Sequence, residues 1–244
     1  MTFSPSIALV TGASRGIGAA LALALAKAGA HVVAVARTSG GLEELDDAIR
    51  AAGGTATLVP LDIKDSDAID RLGGTLHERY GKLDVLVGNA GVLGVLSPLG
   101  HVEPKVWDDV MAVNVTANWR LIRSMDPLLR ASDAGRAVFI SSGAASKAHA
   151  NWGPYAVSKA ALEMLTRTYA AETVNTPVRV TLVNPGGTRT RMRAAAFPGE
   201  DPMALDTPEQ VADAVLPLCL SSCTETGRLF DYPSKRMLDF APPS

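Results

Sequence analysis

The chain has 244 residues, 47% hydrophobic and 20% charged, a composition that suits a globular protein with a sizeable buried core. A net charge of −2 and an isoelectric point near 6.1 supply no basic field for nucleic acid or an anionic membrane, and with 5% aromatic residues there is little on which to stack single-stranded bases. Apolar runs such as Leu21–Ala26 are too short to span a bilayer, and the N-terminus shows no leader pattern, so a cytoplasmic protein is expected.

In chain order, Ile7–Thr11 is a short apolar strand that stops at a Gly-rich turn, Gly12–Gly18. An Ala/Leu-rich helix follows to Ala28 and is stopped by Gly29. His31–Ala36 reads as a second strand, Gly41–Ala52 as a helix with acidic residues in its first turn, and Thr55–Leu61 as a third strand. Ser66–Tyr80 is a helix that Gly73 and Gly74 weaken in the middle. Leu83–Val87 is a fourth strand running into Gly88-Asn89-Ala90-Gly91, and a long helix spans about Pro104 to Arg130. Val138–Ser141 is a fifth strand, Trp152–Val174 a helix, and Val178–Val183 a sixth strand stopped by Asn184-Pro185-Gly186-Gly187. Thr207–Leu220 is the last helix, and Leu229-Phe230 the core of a seventh strand.

Short, continuously apolar strands alternating with helices imply a parallel sheet covered on both faces. No linker or charge block divides the chain, so the expectation is one doubly wound α/β domain over residues 1–244, with about seven strands. Cys219 and Cys223 read as ordinary thiols ahead of a disulfide or metal pair. The four histidines are scattered without ligand spacing, and no metal site is expected.

The turn Thr11-Gly12-Ala13-Ser14-Arg15-Gly16-Ile17-Gly18 lies between the first strand and first helix. Glycines there let the backbone approach a pyrophosphate, and the helix start offers it unpaired N–H groups. The plainer alternative is a tight turn with no ligand. At the end of the second strand, where a carboxylate would hold a ribose hydroxyl, stands Arg37, with Arg15 facing the same region. A guanidinium suits a 2′-phosphate, so NADP(H) is expected over NAD(H), which stays possible.

Tyr155-x-x-x-Lys159 places a phenol and an ammonium on one face of a helix, with Ser142 just after the fifth strand. An ordinary tyrosine titrates near pH ~10, and a close cation brings it toward the working range of a proton donor. Taken singly, each residue also has a plain structural reading.

Together these motifs resemble the short-chain dehydrogenase/reductase family over nearly the whole chain. The likeness is carried by Thr11–Gly18, Asp62-Ile63, Asn89-Ala90-Gly91, Asn114, Ser142, Tyr155-x-x-x-Lys159, and Asn184-Pro185-Gly186 with Thr190. It implies a Rossmann-like fold and a catalytic tetrad of Asn114, Ser142, Tyr155 and Lys159. In that tetrad Asn114 would hold a water linking Lys159 to solvent. It also implies phosphate contacts from Gly12, Ser14, Arg15, Gly16, Ile17 and Gly18, a 2′-phosphate contact from Arg37, and adenine contacts from Asp62 and Ile63. Asn89, Ala90 and Gly91 would flank the ribose; Tyr155, Lys159, Pro185, Gly186, Thr188 and Thr190 would hold the nicotinamide end. Two departures are Gly88, where the family usually has Asn, and Thr226–Pro233, which lacks the family's common Gly-Gly. The stretch Asn184–Pro198 is similar to a bacterial subgroup of mostly unassigned substrate.

The resemblance therefore implies hydride transfer between NADP(H) and a small-molecule carbonyl or secondary alcohol, with Tyr155 as acid/base, in a homodimer or homotetramer. The competing reading is a non-catalytic NADP(H)-binding sensor or partner subunit. Residues 188–205 are expected to form a substrate lid, with Leu93, Leu96, Trp152, Met192, Phe197 and Met203 making the pocket partly apolar. Arg189, Arg191 and Arg193 either receive an acidic substrate or form a solvated face of that lid.

Overall fold

In the computed structural model, which describes residues 6–240, the central strands follow from apolar runs that bury both of their faces. The N-terminal residues 1–5, on which the leader reading partly rests, lie outside the described residues. The elements are β1 (Ile7–Thr11), α1 (Gly16–Lys27), β2 (His31–Ala36), α2 (Ser39–Ala51), β3 (Thr55–Pro60), α3 (Ser66–Tyr80) and β4 (Val85–Gly88). They continue with α4 (Pro104–Met111), α5 (Ala117–Arg130), β5 (Arg136–Ile140), α6 (Gly153–Glu172), β6 (Arg179–Asn184), α7 (Arg191–Ala196), α8 (Pro208–Val215), β7 (Leu229–Asp231) and β8 (Arg236–Leu238).

Alternate residues of each strand point to opposite faces, and two cores result. Ala8, Val10, Val32, Ala34, Val85, Val87, Val138 and Ile140 pack under α1, α2 and α8. Ile7, Leu9, Val33, Val35, Leu86, Ala137, Phe139 and Leu182 pack under α3, α5 and α6 on the other side. The sheet order is β3-β2-β1-β4-β5-β6-β7-β8, parallel except for the final β7–β8 pair. The order reverses between β1 and β4, and a crevice at the C-terminal ends of those strands is where such sheets bind ligands.

The structure has eight strands among the described residues where about seven were expected. The extra one, β8, is three residues long and exists by pairing antiparallel with β7 across the turn containing Lys235 (φ 55°). The second helix starts at Ser39, two residues early, so Glu43 and Glu44 fall outside its first turn. The long helix is interrupted by a π turn over Ala112–Thr116. The last helix ends at Val215 and continues as a 3₁₀ turn, because Pro217 cannot donate to the preceding turn's carbonyl. Gly73 does not break α3; a Cβ there would stand 3.0 Å from the Ser124 carbonyl, so the glycine lets α3 and α5 approach closely. Among the described residues, no helix is long and apolar enough to cross a membrane.

Candidate active site

The C-terminal ends of six parallel strands open onto one cavity of about 730 Å³. Gly12 follows β1, Arg37 β2, Asp62 β3, Asn89 β4, Ser142 β5 and Pro185 β6, and all six line it. Ser14, Arg15, Gly16, Ile17, Ile63, Ala90, Gly91, Tyr155, Lys159, Gly186, Thr188 and Thr190 line it as well. Of the catalytic and cofactor-binding residues singled out in the sequence, Gly18 and Asn114 do not.

At one end, Gly12 (φ 65°) and Gly16 (φ 58°) adopt the left-handed conformation that turns the chain into α1. No side chain caps the first turn of α1, which leaves its N–H groups to whatever enters the cavity. Gly18 serves packing: a Cβ there would collide with the Gly12 carbonyl and the Asn89 amide, so only glycine lets α1 seat on β1. Asn89 Nδ2 donates to the Thr11 carbonyl at 2.9 Å, and Thr11 Oγ1 accepts from the Asn89 and Ala90 N–H groups, each at 3.1 Å. This clamp joins β1 to β4 at the switch point. Arg15 and Arg37 are exposed at the rim and have no ion-pair partner among the described residues. Asp62 Oδ1 accepts from the Lys64 N–H at 3.0 Å.

At the other end, Tyr155 and Lys159 are 8% and 4% exposed. Lys159 Nζ donates to the Ile140 carbonyl at 2.8 Å and lies 5.8 Å from the Tyr155 ring centroid. Burial depresses the ammonium from its usual 10.5 to about 8, opposed by the charge of Glu163. Burial raises the Tyr155 phenol above its usual value, opposed by a hydrogen bond with Ser142. By itself Lys159 therefore does not produce the expected lowering of Tyr155: the ammonium is turned toward a backbone carbonyl, and desolvation of the ring dominates. Ser142 Oγ also accepts from the Ala144 N–H at 3.1 Å, which fixes its position at the strand end.

Asn114 occupies the π turn and is fully buried. Its Oδ1 accepts from the Val92 N–H at 2.9 Å, and its Nδ2 donates to the Val92 carbonyl at 3.0 Å and to Ser158 Oγ at 2.9 Å. The side chain thus braces the chain after β4 against α6, while its backbone carbonyl accepts from Asn118 Nδ2 at 2.9 Å. Asn118 also explains the Gly88 departure. A Cβ at Gly88 would collide with Phe139 and stand 2.6 Å from Asn118 Oδ1, so these two side chains fill the space that an asparagine at 88 would occupy. Sequence pattern did not single out Asn118; its spacing of one turn from Asn114 was the available signal.

On the remaining side, Trp152 stacks edge-on to Tyr155 (centroids 5.9 Å apart) and lies 5.5 Å from Phe197. Leu93, Trp152 and Met192 line the cavity; Leu96, Phe197 and Met203 do not, and Met203 is 74% exposed. The three arginines of the 188–205 segment separate. Arg189 donates to the Pro202 and Leu205 carbonyls, and Arg193 pairs with Glu200 while its guanidinium covers Phe197 at 3.8 Å. Arg191 has no such partner among the described residues, although all three line the cavity. The segment closes on itself through a bridge between Thr188 and Asp206. Pro233 packs against Gly186 (φ 66°), whose N–H donates to Asn184 Oδ1 at 3.1 Å, so the departure at Thr226–Pro233 ends in a proline wall behind the 185–186 corner. Cys219 and Cys223 are free, Cys219 buried with its thiol pushed up to about 12.

Comparison with known proteins gives this geometry its context: residues 6–201 match the family model described as short chain dehydrogenase. The chain belongs to the short-chain dehydrogenase/reductase family. This is a family of oxidoreductases, and the chain is an enzyme of that kind. It is 40% identical over 233 residues to the uncharacterized oxidoreductase YciK of Escherichia coli, covering 92% of this chain and 90% of that protein. A short chain dehydrogenase from Shigella flexneri complexed with NADP superposes with a TM-score of 0.87 at 40% identity, covering 93% of this chain and 97% of that one. One from Escherichia coli complexed with NADPH superposes with a TM-score of 0.85 at 41% identity, covering 93% and 96%. In this short-chain dehydrogenase the cluster of Ser142, Tyr155 and Lys159 sits at one end of the cavity, and the cap-free α1 turn at the other.

Proposed function

We propose that this enzyme transfers a hydride between NADP(H) and a carbonyl or secondary-alcohol substrate, with Tyr155 as the acid/base group. The observation that carries the reading is the continuity of one cavity from Arg15 and Arg37 to Ser142, Tyr155 and Lys159. The residues fit the cofactor: two exposed guanidinium groups without ion-pair partners suit a 2′-phosphate, and the uncapped first turn of α1 suits a pyrophosphate. Asp62 and Ile63 take the adenine, Asn89, Ala90 and Gly91 the ribose, and Pro185, Gly186, Thr188 and Thr190 the nicotinamide end.

When bound, the nicotinamide supplies or accepts the hydride. The side chains do the rest. Tyr155, kept protonated by burial, donates its phenolic proton to the substrate oxygen in the reduction direction. Ser142 donates a hydrogen bond to the same oxygen and shares the developing charge. Lys159 holds a positive charge beside the phenol and favours its deprotonated form after transfer. Asn114 acts in this reading as a brace that fixes α6, and through it Tyr155, against the chain after β4. Residues 188–205, stapled by Arg189 and by the Arg193–Glu200 pair, serve as the substrate lid, with Trp152 and Met192 as its apolar lining and Phe197 packed against Trp152. Assembly as a homodimer or homotetramer through α5 and α6 is supported by exposed Trp119, Val157 and Met164 on those helices.

The test follows NADPH absorbance with a panel of ketones, aldehydes and quinones. Turnover of at least one substrate is expected, and Tyr155→Phe is expected to reduce kcat by roughly 10²–10⁴-fold with little change in NADPH affinity. Tight NADPH binding without turnover across the panel, or full activity in Tyr155→Phe, refutes the proposal.

A further inference from the structure

Three consecutive residues at the end of β5 each meet one residue of a single stripe on α6. The Ile140 carbonyl accepts from Lys159 Nζ at 2.8 Å, Ser141 Oγ donates to Glu163 Oε1 at 2.7 Å, and the Ser142 hydroxyl lies beside the Tyr155 phenol on the wall of the cavity. Tyr155, Lys159 and Glu163 are spaced four apart and so share one helix face. Ser142, Tyr155 and Lys159 already have roles. Glu163 does not, yet it is a partly buried carboxylate held in place by a buried hydroxyl, an arrangement that costs desolvation.

We propose that Glu163 is a positioning residue: Ser141 orients its carboxylate along the face of α6, and its negative charge keeps the Lys159 ammonium protonated. The inference rests on the role given above to Lys159. The carboxylate acts through space, since no direct ion pair joins it to Lys159 among the described residues. Burial lowers the ammonium to about 8, close enough to neutrality that a neighbouring charge decides how much of it stays protonated. Burial raises the Glu163 carboxyl, and Ser141, Arg167 and Lys159 oppose that rise. Arg167 and Lys159 are the charges acting on Glu163, and Glu163 is the charge acting on Lys159. From the neighbouring elements these two groups meet neutral partners: the Ser141 hydroxyl and Ile140 carbonyl of the β5 end. No titratable side chain of α4, α5, β5 or β6 among the described residues acts on either.

Two substitutions separate charge from structure. Glu163→Gln keeps an acceptor for Ser141 and removes the charge; Glu163→Asp keeps the charge and shortens the reach. The direct readout is the titration of Lys159 in the full chain, followed as the pH dependence of its trace acetylation by acetic anhydride and quantified by mass spectrometry. It needs neither cofactor nor substrate. Glu163→Gln is expected to lower the Lys159 midpoint by roughly one pH unit, the scale set by a nearby opposite charge, while Glu163→Asp stays near wild type. Ser141→Ala, which leaves the carboxylate charged but unoriented, is expected to shift it less than Glu163→Gln. A Glu163→Gln midpoint equal to wild type, or one that Glu163→Asp reproduces, overturns the proposal; a Ser141→Ala shift larger than that of Glu163→Gln does so too. With a panel substrate, the alkaline limb of kcat/KM moves down in parallel. Should no substrate turn over, the hydride-transfer reading fails while the Lys159 titration still decides the role of Glu163.

Discussion

Replacing Lys159 with methionine is expected to stabilise the fold at neutral pH while removing activity. The lysine is 4% exposed, and burial brings it from 10.5 to about 8. At about 1.36 kcal/mol per pH unit, carrying the charge into the fold costs about 3 kcal/mol relative to the unfolded chain. Methionine has similar length and no charge to desolvate. It forfeits the hydrogen bond from the charged ammonium to the Ile140 carbonyl, worth about 1.5–3 kcal/mol. The net gain at pH 7 is then about 0.5–2 kcal/mol, with Glu163 still facing Arg167. The pH dependence identifies the cause. Below about 8 the lysine is charged in both folded and unfolded states, and the full penalty applies. Between 8 and 10.5 the folded state has lost its proton and the unfolded state has not, so wild type gains stability relative to the variant as pH rises. Above 10.5 both states are neutral and the advantage of methionine is gone. Urea unfolding of both proteins across this range reads the difference, in which other titrating groups cancel. A variant less stable than wild type at pH 7, or a gain undiminished at pH 10.5, refutes the reasoning.

Arg37→Ala is expected to lower kcat/KM for NADPH by roughly 10–100-fold, the scale of one charge-assisted hydrogen bond, and to leave NADH nearly unaffected. Equal losses with both cofactors would place Arg37 away from the 2′-phosphate. Gly88→Asn, which restores the family's usual residue, is expected to destabilise the protein by about 1–3 kcal/mol, because Phe139 and Asn118 already fill the space. An unchanged urea midpoint would show that the two side chains yield.

Much of the fold was legible because it is written locally. The strands are continuous apolar runs, and their ends are marked by Gly12, Ser142 and Pro185, residue types that turns favour whatever lies around them. Elements whose existence depends on a partner were not. Three residues over Arg236–Leu238 have no period of their own and become a strand by hydrogen-bonding to β7. The π turn at Ala112–Thr116 reads as ordinary helix, since Val113 and Asn114 fit either; what distinguishes it is the set of bonds from Asn114 to Val92 and Ser158, which lie far along the chain.

For the candidate site the division is similar. The spacing of Tyr155 and Lys159 by itself determined that a phenol and an ammonium share one helix face; that the Ser142 hydroxyl joins them was implied by the family resemblance, and all three line one cavity. Only the tertiary structure decided which polar groups stay free to act. Arg189 and Arg193 are consumed by the lid while Arg191 is not, and Asn114 is consumed by the chain after β4. Burial and hydrogen bonding depend on what approaches from distant parts of the chain. The Lys159 ammonium, held near neutrality by desolvation and answered by Glu163 across one helical turn, is the clearest product of that approach.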